Sequence, residues 1–337
     1  MEIILLLLIL LFALITQIII HEIGHIVLGL MTGYKFISIN ILGILFYKNE
    51  NGKLIIKFSQ KGISGQGLLS PGFVESVNIP YFWYNAGGIL FNLISSIICG
   101  SIAMIFKQDS LIYTVLIFTA IIGLFLSIFG SIPISSASVS YDAYNIMMLR
   151  KNHNSKYSFW RILKIEEVLN AGKSYCDCPK EWFAPLSEPD YKNSLTCGWT
   201  LYKIYWFMEC GNFAEAESLC RDIIAEKRAR QSYRDIAICE REFCRIFMNE
   251  NNENKAAEDI IFSIQDQNSK DRCDTFTNRH ILYAQAKLVL KDEQKAEALK
   301  KDLEKNWHSN NRNGEIKFER KLFSFIDLYS LNFIKER

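Results

Sequence analysis

From Ile3 to Ile20 the chain carries no charged side chain, and His21-Glu22-Ile23-Gly24-His25 follows directly. The uncharged run limits what this part of the chain can become. A stretch of this length and composition reads as a membrane-spanning helix. On a helix, positions i and i+4 share a face, so His21 and His25 direct their imidazoles to one point. Glu22 sits one residue on, beside that point and not in the histidine row. The plain alternative is a set of polar residues capping a helix at the membrane interface. It requires three ionisable groups on a membrane helix for packing alone, and such groups are costly there and usually mark a functional site.

Two histidines a helical turn apart with a neighbouring glutamate form the ligand pair and general base of zinc peptidases. A third protein ligand is needed, with an open position left for water. His153, His280 and His308 lie outside the apolar spans. Asp142 is the better candidate. It is the first charged residue after Asp109 and stands at the end of the membrane half. Its other reading is the N-cap of a helix over residues 143–150.

The chain has 337 residues, half of them hydrophobic, and a formal net charge of +2. That balance excludes the strong basic bias of a nucleic-acid binder. Charge is distributed unevenly: residues 85–106 and 110–141 hold none, and residues from Lys151 onward are rich in it. This predicts a mostly α protein with a membrane domain over 1–150 and a soluble α-helical domain over 151–337. Spans are expected at about 3–30, 85–106 and 110–133. The first lacks the basic start and small-residue cleavage site of a signal peptide. Lys35, Lys48, Lys53, Lys57 and Lys61 follow the first span, and Arg150, Lys151, Lys156, Arg161 and Lys164 follow the third. By the positive-inside rule these segments are cytoplasmic, in a multi-pass protein of the cell membrane.

Phe36 to Tyr47 and Lys53 to Phe58 are β-rich and flank Asn51-Gly52, which predicts a β-hairpin at about 36–60. Its edge could hold an extended peptide. Eight of the nine cysteines follow residue 150 at irregular spacing, which fits thiols in a reducing cytosol. Cys176-Asp177-Cys178 has no companion pair at zinc-site spacing.

These residues resemble the site-2 protease family of intramembrane zinc metalloproteases. The resemblance rests on the HExxH of the first span, Gly88-Ile-Leu-Phe-Asn92 in the second, and an Asp following Pro133 near the third. It covers roughly residues 1–150. The family commonly has Asp-Gly a few residues after the proline; here the pair is Asp142-Ala143, nine positions on. The resemblance implies that His21, His25 and Asp142 bind Zn2+, that Glu22 is the general base, and that Asn92 holds the substrate backbone. It implies cleavage of a membrane protein or membrane-bound peptide within or near a transmembrane segment.

Ala216-Glu217, Ala257-Glu258 and Ala296-Glu297 recur 41 and 39 residues apart, each within a predicted amphipathic helix preceded by another. Such pairs resemble tetratricopeptide-type repeats and imply a cytosolic protein partner bound through residues 199–306. A second function class therefore stands beside the protease, a catalytically silent membrane adaptor that recruits a partner. A membrane metal oxygenase would need more histidines than the membrane half supplies.

Overall fold

The computed structural model describes residues 2–48, 53–58, 66–73, 75, 78–134, 141–248, 279–307 and 313–335. The chain divides into two compact units, Met1–Leu163 and Lys164–Arg337.

The first unit is built on three helices long and apolar enough to cross a membrane. Helix α1 (Glu2–Met31) is about 45 Å long, longer than a hydrocarbon core of about 30 Å. Ile3, Leu7, Leu8 and Phe12 are all more than half exposed, as lipid-facing side chains are. The helix ends in a Schellman cap. Gly33 takes φ +92°, its N–H donates to Leu30 O, and Tyr34 N–H donates to Gly29 O. Helix α2 (Tyr81–Ala103) starts directly after Pro80. It therefore begins four residues before the expected 85 and also stops short of 106. Absence of charge marked the apolar stretch, while Pro80 sets the actual start. Helix α3 (Leu111–Gly130) is N-capped by Ser110, whose hydroxyl accepts from Tyr113 N–H at 3.2 Å. It stops at Gly130, three residues ahead of Pro133, where the expected span ended.

Small residues bring these helices together. A Cβ on Gly24 would stand 2.3 Å from Gly87 O, and one on Gly87 the same distance from Gly24 O. The backbones of α1 and α2 thus touch at the turn between His21 and His25. Gln17, fully buried, donates to Thr119 O of α3 at 2.9 Å and accepts from Ser95 Oγ of α2 at 3.1 Å.

Between α1 and α2 lies a four-stranded antiparallel sheet, larger than the single hairpin expected. Its strands are β1 (Lys35–Ile41), β2 (Ile44–Lys48), β3 (Leu54–Phe58) and β4 (Gln66–Ser70), in the order β3-β2-β1-β4. The segment expected as one β-rich stretch to Tyr47 is folded back on itself at Leu42-Gly43. Both residues have positive φ, +53° and +80°, the backbone of a two-residue type I′ hairpin. Strands β2 and β3 pair antiparallel across the stretch containing Asn51-Gly52, which itself lies outside the described residues. Strand β4 pairs with β1 and runs past α1.

Helix α4 (Asp142–Lys151) packs against α2, and α5 (His153–Asn170) runs across the boundary between the units.

The second unit is helical. Helices α6 (Ser194–Glu209), α7 (Phe213–Ala225) and α8 (Gln231–Met248) pack on one another, with Gly211 at φ +79° turning α6 into α7. Helix α9 (Arg279–Ala284) continues as a π-turn over Gln285–Val289, followed by α10 (Glu293–Trp307) and α11 (Asn313–Lys335). Tyr175, Tyr205 and Phe318 form an aromatic cluster in its core. Ala216-Glu217 falls in α7 and Ala296-Glu297 in α10, each following another helix; the middle motif, Ala257-Glu258, lies outside the described residues.

Candidate metal centre

His21 and His25 project from the last third of α1 toward α2 and α4. Their Nε2 atoms are 3.1 Å apart. Asp142 Oδ2 stands 3.2 Å from His21 Nε2 and 3.5 Å from His25 Nε2. These three atoms are the ligand group with metal-binding proximity among the described residues. Asp142 is the first residue of α4; the N-cap is Tyr141, and no side chain caps the helix. Its carboxylate faces the imidazoles.

The triangle fits a cation. Three ligands of a tetrahedral ion with bonds of about 2.0–2.1 Å lie about 3.3–3.4 Å from one another. The observed edges, 3.1, 3.2 and 3.5 Å, bracket that value. The protonation pattern points the same way. His25 Nδ1 lies 2.7 Å from Tyr84 O, and a carbonyl only accepts. Nδ1 therefore carries the proton, and Nε2 of the neutral ring is a bare lone pair. An ionised carboxylate and two imidazole nitrogens converging on one point form a donor set that a divalent cation satisfies.

Three further groups support this set. Asn92 is fully buried, and its amide lies 3.1 Å from His21 Nδ1, on the ring edge away from Asp142. Its Oδ1 is buried without a hydrogen-bond partner. Gly88 leaves room for the His21 ring: a Cβ there would stand 2.4–2.5 Å from three imidazole atoms. Glu22 is buried and accepts at Oε2 from Gly67 N–H of β4 at 2.8 Å. Tyr84 Oη donates to Gly67 O at 2.9 Å. Gly67 is thus clamped at both backbone atoms, by α1 through Glu22 and by α2 through Tyr84.

All five residues singled out in the sequence, His21, Glu22, His25, Asn92 and Asp142, lie in this one region. Gly67 and Tyr84 gave no comparable signal. Gly67 follows a β-run as an ordinary glycine, and Tyr84 sits in the aromatic sequence Tyr81-Phe82-Trp83-Tyr84, which reads equally well as an interfacial belt. Of the histidines outside the spans, His280 is buried in the second unit between Glu240 and Glu319, at 2.9 and 3.0 Å. No protein-family model, curated protein or solved structure matches this chain.

Proposed function

We propose that this protein is a zinc endopeptidase of the membrane, which cuts a membrane protein or membrane-bound peptide within or near its transmembrane segment, and that it belongs with the site-2 proteases. The observation that carries the reading is the triangle of His21 Nε2, His25 Nε2 and Asp142 Oδ2, with a buried glutamate one residue from the first ligand. Two nitrogens and one carboxylate oxygen are a zinc peptidase donor set with a position left over. The apolar helices that carry them support a membrane location. The lysine and arginine pattern supports a cytoplasmic second unit.

His21, His25 and Asp142 would hold the ion, which when bound supplies a water of lowered pKa and a Lewis acid for the scissile carbonyl. Glu22 accepts the proton of the attacking water and returns it to the leaving amine. Gly67 N–H fixes Oε2 of Glu22, so the carboxylate keeps one orientation. Asn92 and the Tyr84 carbonyl fix the two imidazoles from behind. Asn92, buried beside His21, would by the same resemblance also meet the substrate backbone. A helical substrate has no free backbone at its scissile bond and must unwind locally. Strand β4, lying against Glu22, supplies a wall along which an extended segment is held.

Two measurements test this reading. Purified protein is expected to contain about one zinc per chain, lost in the double variant His21→Ala, His25→Ala. Zinc retained by that variant removes the assignment. Membrane-fraction proteomics should then find substrates cut by the native chain and spared by Glu22→Gln, a variant that keeps zinc but slows cleavage by at least ~10²-fold. The adaptor reading draws on the paired helices of the second unit, α6 with α7 and α7 with α8. It prevails if the native chain cuts nothing while a partner is captured through residues 199–306.

A further inference from the structure

Cys176 and Cys210 are the two exposed cysteines among those described. Their sulfurs lie 2.8 Å apart although the residues are 34 positions apart in sequence. That is well inside the ordinary separation of non-bonded sulfurs and about 0.8 Å from a disulfide bond length of ~2.05 Å. We propose that Cys176 and Cys210 are a reversible disulfide site of the second unit, closed by exchange with a low-molecular-weight disulfide.

The backbone on both sides is already held for closure. Cys176 belongs to the short 3-10 turn Tyr175–Asp177, fixed by a capping box in which Ser174 N–H donates to Asp177 Oδ2 at 2.8 Å. Its own N–H donates to Glu209 Oε2 at 2.9 Å, which ties the turn to the end of α6. Tyr175 is buried against Tyr205 and Phe318 and anchors the turn from beneath. Cys210 closes α6, with its N–H donating to Trp206 O at 3.1 Å, and Gly211 at φ +79° sends the chain away behind it. Closure therefore needs side-chain rotation and little else, and a pair held in reach reacts at high effective concentration. Cys178, Cys197, Cys220, Cys239 and Cys244 are buried and not reached by a dissolved disulfide.

Exchange balances without another oxidant. The sulfur of Cys210 attacks one sulfur of the small disulfide, breaks its S–S bond and releases one small thiol. Cys176 then attacks the mixed disulfide on Cys210, forms the Cys176–Cys210 bond and releases the second small thiol. The two protein S–H protons end on the two small thiols; the protein pair loses two electrons and the small disulfide gains them. Both sulfurs are exposed, and the exchange balances equally whichever of the two attacks first. In a reducing compartment the pair rests as thiols and closes under oxidation. Closed, it staples the turn at 175–177 to the α6–α7 turn.

The test uses the full-length chain in detergent, reduced, desalted and equilibrated with excess oxidised glutathione at neutral pH. Remaining thiols are alkylated, and the protein is digested without reduction for peptide mass spectrometry. The expected product is one cross-linked peptide pair joining Cys176 to Cys210, absent after reduction. In Cys176→Ser or Cys210→Ser, the remaining thiol is expected to carry a persistent glutathione adduct. In the native chain, glutathione persisting on Cys176 or Cys210, both sulfurs found alkylated, or Cys176 joined to Cys178 overturns the proposal.

Discussion

Gly88 illustrates how the centre is specified one residue at a time. The missing side chain is what seats the His21 ring, since a Cβ would stand within 2.5 Å of its atoms. Gly88→Ala is therefore expected to displace the imidazole and weaken metal binding by about 10- to 100-fold, as loss of a ligand's support does. Gly100 on the same helix is the control, with its nearest Cβ contact 3.8 Å away at Ala120. Zinc titration of the two variants checks this; equal affinity would show that the ring tolerates the crowding. The His21–His25 pair was legible in the sequence, because i and i+4 lie one turn apart on any helix. The support from Asn92 was not, because it comes from a helix 71 residues away along the chain.

At the scale of elements, one buried amide joins the three long apolar helices. Gln17 of α1 donates to α3 and accepts from α2, and Gly123 of α3 is bare because a Cβ there would stand 2.4 Å from Gln17 Nε2. Interhelical hydrogen bonds of this kind contribute about 0.6 kcal/mol on average in measured membrane proteins. Gln17→Leu should lower the unfolding free energy in mixed micelles by about that much, up to ~1.7 kcal/mol. No change, or a gain, would show that the amide is not holding the bundle. The existence of the three helices could be read from unbroken apolar runs. Their ends, and the splitting of the β-rich segment at Leu42-Gly43, could not. A leucine at positive φ is an uncommon choice for a type I′ turn, and Asn51-Gly52 was the stronger signal nearby.

Taken as a whole, each unit answers to a different condition. In the second unit His280 is fully buried, donating from Nε2 to Glu240 and from Nδ1 to Glu319. Burial alone would lower this imidazole, but Glu240 and Glu319 on either side outweigh it and push its pKa up to about 10 from 6.5. A folded value above the unfolded one stabilises fully below about pH 6.5, and that contribution fades as pH rises through about 10. The second unit should therefore melt at a lower temperature at pH 9.5 than at pH 6.5, followed by circular dichroism, and His280→Asn should flatten the difference. Equal melting temperatures would contradict the buried ion triad. On the proposed function the first unit answers to metal. Its ligands all precede residue 143, so a chain ending at residue 170, after α5, is expected to insert and bind zinc. The orientation is checked by thiol labelling of the reduced chain. Exposed Cys210 should react from the cytoplasmic side, whereas buried Cys244 would be a silent reporter.

What the sequence determined by itself is local and periodic. Uncharged runs long enough to span a bilayer favour helices, which satisfy every backbone group within the segment itself. The HExxH spacing then had to put two imidazoles on one face. Tertiary structure decided the rest: that Asp142 meets those imidazoles, that Gly67 and Tyr84 hold Glu22 in place, and that Cys176 stands against Cys210. Each of these contacts joins residues far apart in sequence, and each depends on helix backbones packed closely enough for a 3 Å distance to be reached. No period along the chain encodes such a meeting; in the first unit it follows from which glycines let α1 and α2 touch and from where the sheet between them turns.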